Sequence, residues 1–250
     1  MKICVFDTET VSLEKPFCYN VGYVIFDTET QQTLTKKDFV IEQVWHNIPL
    51  FSTAYYAEKR PLYVARMRGR KTILDKWGRV CQTMIRDFKA FDVQCAYAYN
   101  SGFDEKVFAF NCDFFKTCNP FDNIQIFDIH GNVHQKIAFT KDFKDFCEKY
   151  EYFTESGNYS TTAETLFRYI SSNIDFVEEH TALSDSEIEL EILKETIRRG
   201  CEYQKAYKTY QSIPRKVKRF FTVIDTNKQE FLFECEKISF REKRTKVILK

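Results

Sequence analysis

Two carboxylate side chains stand near the start of this sequence, directly after an apolar segment. Residues 3–6, Ile-Cys-Val-Phe, predict a short strand buried on both faces, and Asp7 and Glu9 follow it. Alternate residues of a strand point to the same face, so both carboxylates can reach one cation at the strand's end. Because strand ends are where α/β sheets bind ligands, this pair predicts a cation site.

The pentapeptide Phe-Asp-Thr-Glu-Thr occurs twice, at residues 6–10 and 26–30. A repeat of this length is too short to be a repeated structural unit. Strand-like segments on both sides of the second copy predict a hairpin, with polar residues as its connection. We therefore predict that Asp27 and Glu29 are turn residues and that the first copy carries the functional pair.

A further acidic residue follows a predicted strand in the middle of the chain. Residues 72–90 show the apolar spacing of an amphipathic helix, and residues 93–99 predict the strand after it. Asn100 or Ser101 can cap the next helix, which places Asp104 in its first turn. Taken alone, a carboxylate there is more simply explained as one that stabilises the helix N-terminus.

The last group of polar candidates precedes a long helical pattern. Ser184 and Glu187 have the spacing of a capping box and predict a helix from there to about residue 200. Asp185 then lies at the beginning of that helix. His180 is predicted to lie in the preceding loop, where it can lean over the same site.

Other side chains that could carry chemistry are less well placed. Asp128 ends another predicted strand and is a competing acidic candidate. His130 and His134 flank Gly-Asn after that strand and are predicted to be loop residues. The nine cysteines are scattered without a Cys-x-x-Cys pair, so we expect free thiols and no zinc site.

Composition and charge limit the class of protein. A chain of 250 residues with 25 Phe and 14 Tyr but only 7 Gly and 5 Pro predicts an ordered domain. No apolar run is long enough for a membrane span, so we expect a cytoplasmic protein that does not bind membranes.

The formal net charge is +1, yet residues 201–250 carry 13 Lys or Arg against 6 Asp or Glu, and residues 59–71 are also basic. Two basic regions and a carboxylate pocket favour a polyanionic partner.

Three motifs, taken in this order, resemble those of the DEDDh group of 3′-to-5′ exonucleases, which are DnaQ-like enzymes. They are Asp7-x-Glu9, Asn100-x-x-Phe103-Asp104, and His180 followed by Asp185 after four residues. The chain departs from the family at residues 11–12, where Val-Ser replaces the frequent Thr-Gly. The resemblance implies a ribonuclease H-like fold for residues 1–200, with a mixed five-stranded sheet flanked by helices. Residues 201–250 lie outside it, and we expect them to form a basic extension consisting of a helical tail and a β-hairpin.

The resemblance also implies roles for the acidic residues and the histidine. The carboxylates that would hold two metal ions are Asp7, Glu9, Asp104 and Asp185. Ligands that are all oxygen favour Mg²⁺, for which Mn²⁺ can substitute, over zinc. Asp7 would bridge both ions, Glu9 and Asp185 would complete the site of the attacking water, and Asp104 would support the second ion. His180 would be the general base for that water.

The terminal nucleotide would be bound by residues from the first two motifs. We expect Thr10, Leu13, Asn100 and Phe103 around it. Leu13 and Phe103 would pack on the base or the sugar, although ordinary hydrophobic packing explains both equally well.

These features predict a metal-dependent 3′-to-5′ exonuclease that releases nucleoside monophosphates from nucleic-acid 3′ ends, with single-stranded DNA as the substrate. The basic extension would guide that strand through salt-dependent contacts. A ribonuclease that trims RNA 3′ ends is the nearest alternative, since nothing in the sequence reports whether a 2′-hydroxyl is bound. A catalytically silent nucleic-acid-binding or polymerase-docking module is the alternative of a different class. A proofreading role would require a polymerase or another replication partner in trans.

Overall fold

The computed structural model describes residues 1–215 in full and the backbone of residues 217–224 and 230–237. Within these residues, six strands form one mixed sheet in the order β4-β3-β2-β1-β5-β6. The strands are β1 (Lys2–Thr10), β2 (Cys18–Asp27), β3 (Gln32–Ile41), β4 (Ile73–Asp75), β5 (Val93–Ala98) and β6 (Gln125–Asp128). Strands β1, β2 and β3 are antiparallel neighbours, whereas β5 runs parallel to β1 and β6 runs parallel to β5.

Helices cover both faces of the sheet. They are α1 (Glu42–Trp45), α2 (Ile48–Phe51), α3 (Arg60–Arg68), α4 (Trp77–Phe91), α5 (Gly102–Phe115), α6 (Ile129–Lys136), α7 (Lys141–Tyr150), α8 (Ala163–Ser171) and α9 (Ala182–Arg198), with a 3₁₀ turn at Ala57–Lys59. Helices α1 to α5 pack on one face, and α6 to α9 pack on the other.

Burial on both faces explains the apolar start of β1. Ile3 and Val5 belong to the core formed with α6 to α9, whereas Cys4 and Phe6 belong to the core formed with α4 and α5. The alternation continues into the polar end of the strand. Asp7 and Glu9 therefore project on the α9 side, and Thr8 projects on the α5 side.

The mixed α/β sheet flanked by helices is confirmed, with one strand more than the five expected. The extra strand is β4, which pairs in parallel with the end of β3. Because residues 73–75 are extended, the following helix begins at Trp77 and not at residue 72.

Two local predictions about helix boundaries are wrong. Helix α9 begins at Ala182 and not at a Ser184 capping box. Its first N–H group is satisfied from outside the helix, since the Asn20 side chain accepts the Ala182 N–H at 2.8 Å. His130 and His134 are not loop residues but lie in α6, whose N-cap Asp128 accepts the His130 N–H at 2.9 Å.

The segment after α9 also differs from its prediction. Residues 201–215 contain no helix, so the helical tail expected to about residue 211 is wrong. The segment is instead hydrogen-bonded to α6, where the Tyr210 N–H donates to His134 Nδ1 at 3.0 Å. Strands β7 (Val217–Ile224) and β8 (Glu230–Lys237) pair antiparallel, as expected of the hairpin. Its connection and the basic side chains from residue 216 onward lie outside the described residues, and the domain boundary at residue 200 stays a prediction.

Two further expectations concern the chain as a whole. In the described part of the chain, no helix is both long enough and apolar enough to cross a bilayer. Every cysteine whose side chain is described is a free thiol, as predicted.

Candidate active site

Carboxylates from the first strand and the last helix meet at one end of the sheet. One carboxylate oxygen from each of Asp7, Glu9 and Asp185 lies within 4.8 Å of the others. Asp7 and Glu9 are half-buried, and Asp185 is only 7% exposed. The strand alternation and the helix start thus bring residues 7, 9 and 185 together, as the motifs predicted.

Strand β2 allows α9 to come this close. Gly22 pairs with Asp7 across the antiparallel strands. A Cβ atom built on Gly22 would lie 2.0 Å from the backbone nitrogen of Leu183, so only glycine leaves room for the start of α9. Ser186 adds a hydrogen bond from its hydroxyl to the Gly22 carbonyl at 3.1 Å. These contacts set the position of Asp185 beside β1.

Asp104 reaches the same end of the sheet from the opposite face. Since β5 runs parallel to β1, the turn from β5 into α5 lies beside the end of β1. Thr8 donates a hydrogen bond from its hydroxyl to Asp104 Oδ1 at 2.6 Å, and Asp104 is only 2% exposed. Asp104 therefore lies next to the Asp7–Glu9 segment, although it is not among the three carboxylates within 4.8 Å of each other.

Because the carboxylates of the cluster repel one another, the cluster favours the binding of either protons or cations. Burial, reinforced by the charges of Asp104, Glu189 and Asp185, raises the pKa of Asp7 well above its ordinary value. Burial likewise raises the pKa of Glu9 to about 8, that of Asp104 to about 7 and that of Asp185 to about 9. Carboxylates this close to one another remain ionised at neutral pH only when cations neutralise them.

The donor set fits a hard divalent cation. In the group formed by Asp7, Glu9 and Asp185, all three candidate ligands are carboxylate oxygens, which Mg²⁺ and Mn²⁺ prefer and which zinc sites rarely use alone. Asp185 Oδ1 is buried and has no hydrogen-bond partner within the described residues. A buried carboxylate oxygen without a donor is costly, and a bound cation would satisfy it.

His180 lies in the loop before α9, as predicted, and adjoins the same site. It has a positive φ of 51°, and a ring nitrogen lies within 4.8 Å of carboxylate oxygens of Glu178 and Asp185. Tyr56 stacks on the imidazole with ring centroids 4.5 Å apart and an interplanar angle of 13°. Burial and the nearby Lys59 charge lower the pKa of His180, which keeps the imidazole neutral at neutral pH.

The segment that carries Tyr56 is held against this loop by basic residues. Lys59 donates to the Glu179 carbonyl at 2.6 Å, and Arg66 pairs with the Glu179 carboxylate at 2.9 Å. Arg66 also lies 3.4 Å from the fully buried Asp38. The basic stretch at residues 59–71 is therefore partly structural, while Arg68, Arg70 and Lys71 are exposed.

The four residues predicted to surround a nucleotide differ in how available they are. Leu13 is 82% exposed, and Thr10 is half-buried with its hydroxyl bonded to the Ser12 carbonyl at 3.2 Å. Phe103 packs partly on the core beside α5. Asn100 has a positive φ of 58°, and its Oδ1 lies 2.7 Å from His130 Nδ1. Leu13 is thus the side chain most open to a ligand.

The competing acidic residues lie outside the cluster. Asp27 and Glu29 stand at the β2–β3 turn, where the Glu29 N–H donates to Asp27 Oδ1 at 3.0 Å. Asp128 caps α6 and accepts the Asn100 N–H at 2.9 Å. Residues 28–30 lie in the turn, which confirms Glu29 as a turn residue, whereas Phe26 and Asp27 are the last residues of β2.

Three residues of the site were not singled out in the sequence. Glu178 and Glu189 add carboxylates, and Tyr56 supplies the ring on His180. Of these three residues, only Glu189 could have been found from the sequence, because it follows Asp185 by one helical turn and so lies on the same face of the helix. Tyr56 lies in a segment without a clear pattern, so only the tertiary structure identifies it.

Comparisons with known proteins give structural matches alone. No protein-family model matches the sequence, and a search of curated proteins also finds no match. The nuclease domain of 3′hExo, a DEDDh family member solved with rAMP, has a TM-score of 0.51 at 14% identity, covering 85% of this chain and 97% of that one. A 3′-exonuclease solved for 3′-end-specific recognition of a histone mRNA stem-loop has a TM-score of 0.53 at 13% identity, covering 100% of this chain and 74% of that one.

A third match extends the comparison to a larger protein. The complex of ExoI with SSB-Ct has a TM-score of 0.51 at 15% identity, covering 80% of this chain and 41% of that one. At such identities the likeness shows the fold. The chain therefore shares the fold of these solved exonuclease structures.

Proposed function

We propose that this protein is a metal-dependent 3′-to-5′ exonuclease that releases nucleoside monophosphates from single-stranded DNA. The observation that carries the proposal is the convergence of Asp7, Glu9 and Asp185 within 4.8 Å, with Asp104 and His180 beside them. Four carboxylates and one neutral imidazole, drawn from three remote parts of the chain, are the groups that such a hydrolysis needs. Their common location supports catalysis over a silent binding module.

Divalent ions would be held by the acidic residues of the cluster, which are Asp7, Glu9, Asp104 and Asp185. Two bound Mg²⁺ ions would supply Lewis-acid stabilisation of the phosphate and of the leaving 3′ oxygen, and would lower the pKa of the attacking water. After burial, the charges of Asp104, Asp185 and Glu9 all raise the pKa of Asp7, so Asp7 is the candidate for a shared ligand. Thr8 fixes the Asp104 carboxylate through its hydroxyl.

His180 would remove a proton from the attacking water. Its lowered pKa supports the neutral form that a general base requires near pH 7. Nδ1 lies 3.5 Å from Glu178 Oε2, so a proton on Nδ1 faces that carboxylate and leaves Nε2 as the acceptor. The Tyr56 ring restricts rotation of the imidazole out of this position.

Substrate binding would combine exposed apolar side chains with basic ones. Leu13 is open to the terminal nucleotide, and Thr10, Asn100 and Phe103 would form the remainder of its site. Arg68, Arg70 and Lys71 are exposed and available to a phosphate backbone. We assign the same salt-dependent role to residues 201–250, as a separate basic extension of the domain at residues 1–200.

A ribonuclease that trims RNA 3′ ends is the second candidate. The observation that favours it is the rAMP in the nuclease domain of 3′hExo, whose fold this chain shares. A ribonucleoside monophosphate is the product expected of RNA hydrolysis. Both candidates use the same acidic cluster and differ only in whether a 2′-hydroxyl is tolerated.

The decisive experiment is a nucleotide-release assay on 5′-labelled single-stranded DNA and RNA of one sequence, with Mg²⁺, Mn²⁺ or EDTA. We expect stepwise shortening from the 3′ end that EDTA abolishes. Asp7→Ala should abolish release, whereas Asp27→Ala, the same change in the second pentapeptide, should retain it. Release by Asp7→Ala, or binding without hydrolysis by the folded wild type with either metal, would overturn the proposal.

A further inference from the structure

Glu189 is a buried carboxylate that the four acidic positions of the proposed site do not include. It lies one helical turn after Asp185 in α9, on the same face of the helix, and is only 3% exposed. Its Oε2 accepts the Tyr99 N–H at 3.3 Å. The charges that act on it most strongly within residues 1–215 belong to Asp104 and Asp185, which are themselves acidic.

The sheet register places Glu189 beside the proposed metal ligands. Val5 of β1 pairs with Tyr97 of β5, so Tyr99, two residues further along, stands level with Asp7. The side chain that accepts the Tyr99 N–H therefore lies next to the Asp7 end of β1. It joins α9, which carries Asp185, to the strand end that leads into Asp104.

A buried carboxylate surrounded by other carboxylates needs a compensating charge. A single backbone N–H donor offsets only part of the cost of burying an ionised group. The neighbouring Asp185 Oδ1 also lacks a hydrogen-bond partner within residues 1–215. Two adjacent acidic groups with so few donors indicate that a cation bound at this end of the sheet would serve both.

We propose that Glu189 is a fifth acidic residue of the divalent-ion site, a positioning residue that raises the site's affinity for divalent cations by its charge and by its bond to Tyr99. The inference rests on the proposed metal-dependent function. Among the described residues, Glu189 belongs to neither group of three candidate ligands that lie within 4.8 Å of one another, so we assign it a place behind the ligands. Outer residues of this kind typically change metal affinity by about 10- to 100-fold.

The test separates the charge of Glu189 from its hydrogen bond. Glu189→Gln keeps an oxygen that can accept the Tyr99 N–H but removes the charge. Mn²⁺ binding is measured by isothermal titration calorimetry on the full chain without nucleic acid, and thermal unfolding is measured with and without EDTA. The matched control is Glu191→Gln, a carboxylate on the same helix whose side chain is 50% exposed and pairs with Lys194 at 2.8 Å.

We expect Glu189→Gln to weaken Mn²⁺ binding by about tenfold or more. Its metal-free melting temperature should not fall below that of wild type, because the substitution removes repulsion among buried carboxylates. Glu191→Gln should bind Mn²⁺ like wild type. Equal Mn²⁺ affinities for Glu189→Gln and wild type would overturn the inference.

Glu189→Asp is a second variant, which keeps the test decisive if Glu189→Gln folds poorly. It keeps the charge on a shorter side chain, so we expect tighter Mn²⁺ binding than in any neutral substitution, including Glu189→Ala. An equal loss of affinity in Glu189→Asp and Glu189→Ala would assign the effect to side-chain shape and overturn the inference. Failure of folded wild type to bind Mn²⁺ would instead overturn the proposed function itself, and with it this inference.

Discussion

Gly22 and Leu183 approach each other so closely that the start of α9 rests directly on the backbone of β2. A Cβ atom at Gly22 would lie 2.0 Å from the Leu183 nitrogen and 2.2 Å from the Ala182 carbonyl carbon. Gly22 also pairs with Asp7. The missing side chain thus sets the distance between the strand that carries Asp7 and the helix that carries Asp185.

Gly22→Ala should therefore damage stability and catalysis together. The inserted methyl group meets backbone atoms that cannot rotate away, so α9 must move off β2. We expect a loss of about 1–3 kcal/mol in the free energy of unfolding, the usual cost of overpacking a core. Nucleotide release should fall by a larger factor than for other variants of equal stability, because the displacement separates Asp185 from Asp7.

Gly69→Ala is the matched control for this variant. A Cβ atom there would be 3.4 Å from the nearest atom, the Ala65 carbonyl oxygen, which is ordinary contact. Denaturant unfolding and nucleotide release are measured for both variants. A Gly22→Ala protein as stable and active as Gly69→Ala would show that α9 does not depend on this close approach.

The sequence predicts the carboxylates of the cluster better than the residues that hold them in place. Alternation along β1 suffices to place Asp7 and Glu9 on one face, because strand geometry is local. The start of α9 is not local, since Asn20 binds the Ala182 N–H from another strand. Ser184 and Glu187 therefore have the spacing of a capping box without forming one. The role of Gly22 cannot be predicted from a single sequence, because it depends on a contact with residues far along the chain.

Thr8 is expected to control the orientation of Asp104. Its hydroxyl donates to Asp104 Oδ1 at 2.6 Å in a buried setting. Thr8→Val keeps the shape but leaves that oxygen without its donor, which should lower kcat by about tenfold or more. Thr8→Ser retains a hydroxyl and should keep most of the activity. Equal rates for the two variants on a single-stranded oligonucleotide would contradict this role.

Tyr56 is expected to hold His180 in the position proposed for the general base. The two rings stack at 4.5 Å, and Lys59 Nζ lies 4.4 Å from the centre of the Tyr56 ring. Tyr56→Leu removes the stacking surface, so kcat should fall by about tenfold, a part of what general-base catalysis contributes. Tyr56→Phe keeps the ring and should behave like wild type. If Tyr56→Leu and Tyr56→Phe have the same kcat and the same pH profile, the stacking does not position the base.

The buried carboxylates predict an unusual pH dependence of stability for the metal-free protein. Burial raises the pKa of Asp104, Glu9 and Asp185 in the folded chain to about 7, 8 and 9. In the unfolded chain such groups titrate near pH 4. Between these values the folded protein binds more protons than the unfolded chain, so the free energy of unfolding must fall as pH rises. In EDTA, the melting temperature should therefore decrease from about pH 5 to about pH 9.

Divalent cations should reverse this decrease, because they stabilise the ionised carboxylates that high pH produces. The rise in melting temperature on adding Mn²⁺ should be larger at about pH 8 than at about pH 5.5, where protons compete for the same oxygens. Asp185→Asn removes one raised pKa and should flatten the pH dependence in EDTA, whereas Asp27→Asn, at the β2–β3 turn, should not. A metal-free melting temperature that rises with pH across this range would mean that the carboxylates are not held together in the folded protein. The proposed cation site would then lose its electrostatic basis.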